Sequence, residues 1–518
     1  MAGVGRPAWN LLTGTLTGYV LLGINIVLGI FLMPFTMFHL GQSNYGLWML
    51  VASLTAYFQL LDLGYGNGLV RQITQADAQG DENGVNEVLS TFLVVYGALG
   101  LVALAATALL ALTVLPRFPN LSPEQIPTAQ WVLGMLGFRV AIGFPMGIFG
   151  AVTTARQRFA LTGCVAIAVA LLQAAATFLI LRAGYGLVPL VAATTSLNLL
   201  SYVAYAAVAR QTFPGMRLSP SLFSRRQVRE VTAFSFYLFL ISIAIHVGTS
   251  VDNLIIGAFA GTSAIAVYTV ALRLAEYQRQ LCGQFSGFLF PLMVRFDASR
   301  DGEAMRATLV DGTRLALGLV SGVTVCLLAF GGDIVTFWMG PGFSGSIVPL
   351  YLLALAGVVV VAQGPAGNSL LATGRHRLVA GVSILNILLN IVLSLALVSR
   401  YGLTGVALGT TIPYIVLNAG IVMPVAARAV NVPVFAFFAS VLTPSLMAAV
   451  PAAAVAVLIR TMTTPGSFLT VVAQAAVVGI LFVAAFCIVG LRGRDRARYF
   501  AAVRQATVAL RRPGVVTP

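Results

Sequence analysis

No lysine occurs in the 518 residues; all 30 basic side chains are arginine. A P-loop needs a lysine on the phosphates, so this absence excludes nucleotide hydrolysis by that route. Acidic residues number only 15, histidines three and cysteines four. No HExxH, DxD pair or Cys/His cluster has metal-ligand spacing, which removes metal hydrolases and zinc modules and leaves no cofactor to expect. Cys164, Cys282, Cys326 and Cys487 fall in or near apolar runs without a redox spacing and read as small packing residues. Charged residues make up 9% of the chain, where a soluble domain carries roughly 25%. The polar gaps between apolar runs are short, so there is no room for a separate catalytic domain.

What is present is apolar length. Hydrophobic residues make up 59% of the chain. They gather near 10–38, 45–69, 88–115, 128–152, 159–181 and 187–209, then near 231–258, 264–292, 307–330, 347–372, 378–398 and 404–427, and finally near 433–459 and 467–491. A helix needs about 20 such residues to cross the hydrocarbon core. The expectation is an all-α membrane protein of about fourteen transmembrane helices, grouped as six, six and two. The first apolar run is too long for a signal-peptide core and reads as a first span.

A shift of 220 residues superimposes the chain on itself. Residues 41–89 face residues 261–309 without a gap, sharing Gly41/Gly261, Ser43/Ser263, Tyr57/Tyr277, Leu61/Leu281, Asp77/Asp297 and Asp81/Asp301. Further on, ARQR at 155–158 faces GRHR at 374–377, YGL recurs at 185 and 401, and Arg210 faces Arg428, the shift drifting between 216 and 219. The duplication predicts a lobe over 1–213, a linker over 214–230, a second lobe over 231–430, two added helices within 431–491 and a basic tail over 492–518. It also retains as a span the run holding Arg273, Glu276 and Arg279, which hydropathy alone would reject. Two homologous halves in so apolar a chain are the signature of a transporter whose site lies between its repeats.

The net charge of +15 carries topology. With both termini cytoplasmic, Arg117, Arg182, Arg400 and Arg460 fall in outer loops, three arginines in spans, and 23 in cytoplasmic loops and the tail. Charge spread over many short loops does not make a nucleic-acid footprint, which clusters on one face. The tail from Arg492 reads either as a basic amphipathic helix on anionic lipid or as a solvated stop-transfer segment. GYGNG at 64–68 lacks the GxGxxG spacing and reads as a helix ending with close packing rather than as a phosphate loop.

Polar side chains inside spans are costly, so their positions inform. Tyr45, Trp48, Thr55, Gln59 and Asp62 share one face of the second span. Arg273, Glu276, Gln280 and Gln284 do the same in the eighth, Ser242, His246, Thr249 and Asn253 in the seventh, and Asn25 stands in the first. These stripes should face each other around a wet cavity, and Arg139 and Arg279 are further candidates for it. Each has a plainer reading. Arg273 and Glu276 at i, i+3 neutralise one another, Asp62 caps a helix end, His246 packs through a hydrogen bond, and Arg139 either reaches the cavity or bonds backbone carbonyls.

The run HLGQSNYGLWMLVASLTAYFQLLDLGYGNGLVRQI at 39–73, with VDNLIIGAFAGTSAIAVYTVALRL and FWMGPGFSGS in the second half, resembles the polysaccharide-transporter family, the Wzx-type flippases of lipid-linked oligosaccharides in the multidrug/oligosaccharidyl-lipid/polysaccharide exporter superfamily. The likeness covers nearly the whole chain. It implies two six-helix lobes forming a V around a cavity made by spans one, two, seven and eight, open alternately to each side of the membrane. The implied activity is not enzymatic: it is transfer of a polyprenyl-diphosphate-linked oligosaccharide across a bacterial inner membrane, for O-antigen, capsule or exopolysaccharide. The substrate-binding set is then Asn25, Gln59, Asp62, Arg139, His246, Asn253, Arg273, Glu276, Arg279 and Gln280. Membrane lipid, a polysaccharide polymerase and a chain-length regulator are the implied partners, and coupling to H+ or Na+ is left open. A cation-coupled multidrug antiporter and a lipid II flippase are the alternatives of transport class; outside it stand a scaffold for a synthesis complex and a membrane-embedded polymerase or ligase, which usually needs a sizeable outer loop that this chain lacks.

Overall fold

The computed structural model describes the backbone of residues 5–489; the side chains of residues 5–13, 15, 16 and most of 233–249 are outside that description. The expected tail helix from Arg492 therefore lies outside the described residues. Those described fold as α1 (Gly5–Ala56), α2 (Tyr65–Ala78), α3 (Glu82–Leu109), α4 (Gln125–Ala155), α5 (Phe159–Arg182), α6 (Leu187–Thr212), α7 (Arg225–Ala260), α8 (Thr262–Gly283), α9 (Ser286–Ala298), α10 (Gly302–Met339), α11 (Ile347–Ala362), α12 (Gly364–Ala372), α13 (His376–Leu417), α14 (Met423–Ala429), α15 (Val434–Met462) and α16 (Phe468–Val489).

Among the described residues, ten segments are long and apolar enough to cross a membrane. Two of these, Thr17–Asp62 and His376–Ala429, run to 46 and 54 residues, length for two crossings each. Each is broken once, at Gly41 (φ 74°, ψ 160°) and at Gly402 (φ 54°, ψ −131°), where the backbone leaves the helical region. The chain is thus an all-helical, multi-pass membrane protein. The run with Arg273, Glu276 and Arg279 does form a helix, α8, but its charge keeps it out of the ten.

The duplication is written into the backbone. Gly41 and Gly261, 220 residues apart, both have positive φ, and Gly80 and Arg300 share the left-handed conformation in matching turns. Asp81 and Asp301 then cap α3 and α10 in the same way, accepting from the backbone N–H of Gly84 and Ala304. The register of the later match needs correction. Left-handed Gln157 corresponds to left-handed Gly374, and the N–H of Arg158 reaches back to Thr153 O as that of Arg375 does to Leu370 O. The shift there is 217, pairing Arg158 with Arg375 and Arg156 with Thr373.

The GYGNG segment is a helix break and a close approach, as its composition predicts. Leu63 and Gly64 are left-handed and end the second span. A Cβ on Gly68 would lie 2.6 Å from Ser235 Oγ and 2.7 Å from Val231, so only glycine lets α2 meet α7 there.

The described residues cluster into two compact units, one within 1–269 and 383–409 and one within 270–382 and 410–518. In the first unit, Tyr65, Leu69, Phe92, Tyr96, Phe144 and Ile148 form a buried aromatic and aliphatic core. Asn86, Ser90 and Thr91, on one side of α3, bind the backbone of the connecting segment 215–224. Asn86 donates to Gly215 O and accepts from Arg217 N–H, Ser90 accepts from Ser219 N–H, and Thr91 accepts from Ser224 N–H. In the second unit, Phe330, Ala448, Ala452, Phe482 and Phe486 pack α10 against α15 and α16. Pro444 in α15 lacks the N–H that Ser440 O would accept, and Arg314 Nε donates to that carbonyl at 3.1 Å while its Nη1 pairs with Asp311 at 3.2 Å. This places a charged side chain inside a span without a ligand to explain it.

Candidate functional site

A cavity of about 550 Å³ lies in the first unit, walled by both arms of α1 and by α4, α5 and α6. Asn25 comes from the arm before Gly41; Trp48, Thr55 and Gln59 come from the arm after it. The α4 face contributes Arg139 between Leu136 and Val140, α5 gives Gln173 and Thr177, and α6 gives Thr194 and Asn198. Leu136 and Val140 are buried where they meet this wall, and Leu133 and Phe144 bury the neighbouring turns of α4. Two turns of α6 settle their own donors locally: Asn198 donates to Thr194 O at 2.8 Å and Thr194 Oγ1 to Leu190 O at 3.0 Å. The carbonyl oxygen of Asn198 is left to face an occupant.

The lining has one charge. Arg139 is half-buried, and no aspartate or glutamate stands on the cavity wall. It forms no hydrogen bond or ion pair among the described residues, and it lines this cavity of the first unit. Amides and hydroxyls with both donor and acceptor capacity surround it, and Trp48 supplies an aromatic face, held edge-on by Tyr45 at 6.0 Å between ring centroids. Nothing on the wall is suited to hold a metal cation, since its charged group is itself a cation.

Of the expected set, Asn25, Gln59 and Arg139 meet here, and the others do not line this cavity. Asp62 terminates its helix, where its carboxylate accepts from Tyr96 Oη at 2.8 Å and from Gly66 N–H at 3.3 Å. Asn253 is buried and donates to Ser53 Oγ at 2.9 Å, beside Asp252, which accepts from Tyr268 Oη at 2.8 Å. The His246 side chain is outside the described residues. In the second unit, Arg273 and Glu276 form an ion pair at 2.9 Å with side chains 45% and 25% exposed. Arg279 is half-buried and Gln280 exposed. The buried amide of α8 is instead Gln278, which donates to Thr324 Oγ1 and Ala354 O.

Gln173, Thr177, Thr194 and Asn198 were missed by the sequence reading, which weighed polar stripes only in spans one, two, seven and eight. A signal existed. Gln173 and Asn198 are isolated amides near the middle of spans five and six, and an amide in that setting is as costly as one in a stripe.

The model of the polysaccharide biosynthesis protein family matches residues 11–297. Over 427 residues, 79% of this chain and 80% of the relative, the sequence is 25% identical to an uncharacterized membrane protein, EpsK, of Bacillus subtilis. It is 22% identical over 193 residues, 37% of this chain and 41% of the relative, to a probable low-salt glycan biosynthesis flippase, Agl15, of Haloferax volcanii. Among solved structures, the lipid II flippase MurJ in an inward closed conformation superimposes with a TM-score of 0.68 at 16% identity, covering 92% of this chain and 98% of that one. An inward-facing multidrug resistance MATE transporter gives 0.67 at 15% identity, covering 79% and 94%. At such identities the likeness is one of fold. The family match takes in more than half of the residues, and the chain accordingly belongs to the polysaccharide biosynthesis protein family.

Proposed function

We propose that this protein flips a polyprenyl-diphosphate-linked oligosaccharide across a bacterial inner membrane, in the synthesis of O-antigen, capsule or exopolysaccharide. The observation that carries the reading is the cavity wall: one unpaired guanidinium among amides and hydroxyls, with an aromatic ring beside them. Such a wall hydrogen-bonds a hydroxylated ring from several sides and attracts an anion. A sugar head group cannot cross hydrocarbon unaided, whereas its isoprenoid tail need never leave it. An apolar groove of about 570 Å³ between α8, α10 and α16, lined by Cys282, Cys326 and Cys487 with Leu281, Phe482 and Phe486, supplies walls an isoprenoid chain would accept.

In this reading the chain has fourteen spans, counting the two arms of α1 and of α13 separately and including α7 and α8, and both termini are cytoplasmic. The ten residues of the expected set remain the proposed substrate contacts over a transport cycle. A cation-coupled drug antiporter would want carboxylates on the cavity wall, and this wall has none.

Deleting the protein tests the reading. Lipid-linked glycan should accumulate in the inner leaflet while surface polymer falls, because synthesis continues without translocation. Normal polymer together with new sensitivity to cationic dyes would replace the flippase by the antiporter.

A further inference from the structure

We infer that the part of the glycan admitted to the first unit's cavity bears a carboxylate, so that the transported head group is an anionic sugar of the hexuronate kind, with Arg139 as its specificity-determining residue. The inference rests on the flippase reading above and goes beyond it in naming the substrate's charge. Arg139 is the fifteenth of the 31 residues of α4, close to the middle of the crossing. A guanidinium at that depth is expensive unless an anion meets it, and the wall offers none.

Two anions could come with the substrate, and charge and position choose between them. A diphosphate diester carries two negative charges, one per phosphate, so a lone guanidinium would leave it half-neutralised in a low-dielectric site; a single carboxylate balances it. The diphosphate is also covalently joined to the isoprenoid, which stays in lipid, while this cavity is lined by residues of five spans of one unit. The group that reaches Arg139 is therefore farther along the glycan. A planar carboxylate matches the guanidinium fork with two parallel bonds. The neighbouring amides of Gln59, Gln173 and Asn198 suit the ring hydroxyls that flank such a carboxylate, and Trp48 offers the ring a face. The volume, near 550 Å³, sits within the roughly 300–1,000 Å³ of pockets for small polar or apolar molecules.

The test uses full-length protein in nanodiscs and three probes: farnesyl diphosphate, farnesyl diphosphoglucose and farnesyl diphosphoglucuronate. The glucuronate probe should bind about tenfold more tightly than the glucose probe, a difference of about 1.4 kcal/mol. Arg139→Gln should bring the two to parity, with Arg139→Lys keeping part of the preference; farnesyl diphosphate, which has no carboxylate, reads any loss at the diphosphate itself. A thermal melt equal to that of the parent guards against a folding defect. Parity of the sugar probes in the parent protein overturns the inference. So does loss of farnesyl diphosphate binding in Arg139→Gln, which would hand Arg139 to the diphosphate and leave the flippase reading standing. Failure of all three probes to bind would remove the flippase reading itself.

Discussion

Asp77 on α2 pairs with Arg156 at the turn between α4 and α5, Oδ1 to Nη2 at 2.5 Å, and the matching positions of the second half, Asp297 and Thr373, have no cation with which to repeat that pair. Arg156 does more than neutralise Asp77. Its Nη1 donates to Thr212 O at 2.6 Å, and its guanidinium lies 4.5 Å from the centre of the Phe213 ring. One side chain thus ties α2, the α4–α5 turn and the end of α6, in the first half alone.

Arg156→Ala should therefore destabilise the protein by about 1–3 kcal/mol, the scale of a charge-assisted hydrogen bond lost with its ring contact. Arg375→Ala, at an exposed position of the second half, should stay within about 0.5 kcal/mol. Thermal melts of the two purified variants check this. Equal losses would mean that the pair is an ornament of the surface rather than a tie.

A carboxylate placed in the cavity should disable it. Gln173→Glu keeps the size of the side chain and sets a negative charge on the same wall as Arg139, supplying from within the anion that the substrate is proposed to bring. Surface polymer should fall about tenfold or more, the cost of roughly 1.4 kcal/mol or beyond, at unchanged expression. Unimpaired polymer in this variant would show that the cavity does not carry the glycan.

Exchange of Arg273 and Glu276 separates binding from pairing. The pair is close, at 2.9 Å, yet Arg273 is 45% exposed, so its strength in isolation is small. In the double variant Arg273→Glu with Glu276→Arg the pair survives with its order reversed, and the positive charge moves by about 4.5 Å at 1.5 Å rise per residue. Expression should recover from the loss in either single variant while transport does not. Recovery of full surface polymer would reduce Arg273 to a structural partner of Glu276.

Topology gives the fourth expectation. Reporter fusions should place the segments 210–230 and 373–377 in the cytoplasm and the segment 331–346 outside. An external signal from the first of these, which carries Arg210, Arg217, Arg225, Arg226 and Arg229, would contradict the fourteen-span arrangement and the orientation of both termini.

The class of the protein was legible without coordinates, because the bilayer demands long apolar helices and charges for every polar group placed in them. The same demand made the duplication visible: Gly41 and Gly261 recur because both halves turn between spans with a positive φ, and Asp81 and Asp301 recur because both cap a helix. Arg139 was legible as a candidate, and only the fold set it on the wall of the first unit's cavity.

Tertiary structure decided the rest. Hydropathy could not place the break at Gly283, since it lies inside an apolar run. It could not see that Asp62 is taken by Tyr96, or that Arg314 serves the carbonyl freed by Pro444, for in each case the partner is distant in sequence. The register that sets Arg156 against Thr373 rests on two left-handed residues, Gln157 and Gly374, whereas residue identity alone aligns arginine with arginine. A cavity walled by spans one, two, four, five and six depends on how those helices turn about their axes. Sequence restricts each helix to a set of faces; which face meets which neighbour is settled only by packing them all at once.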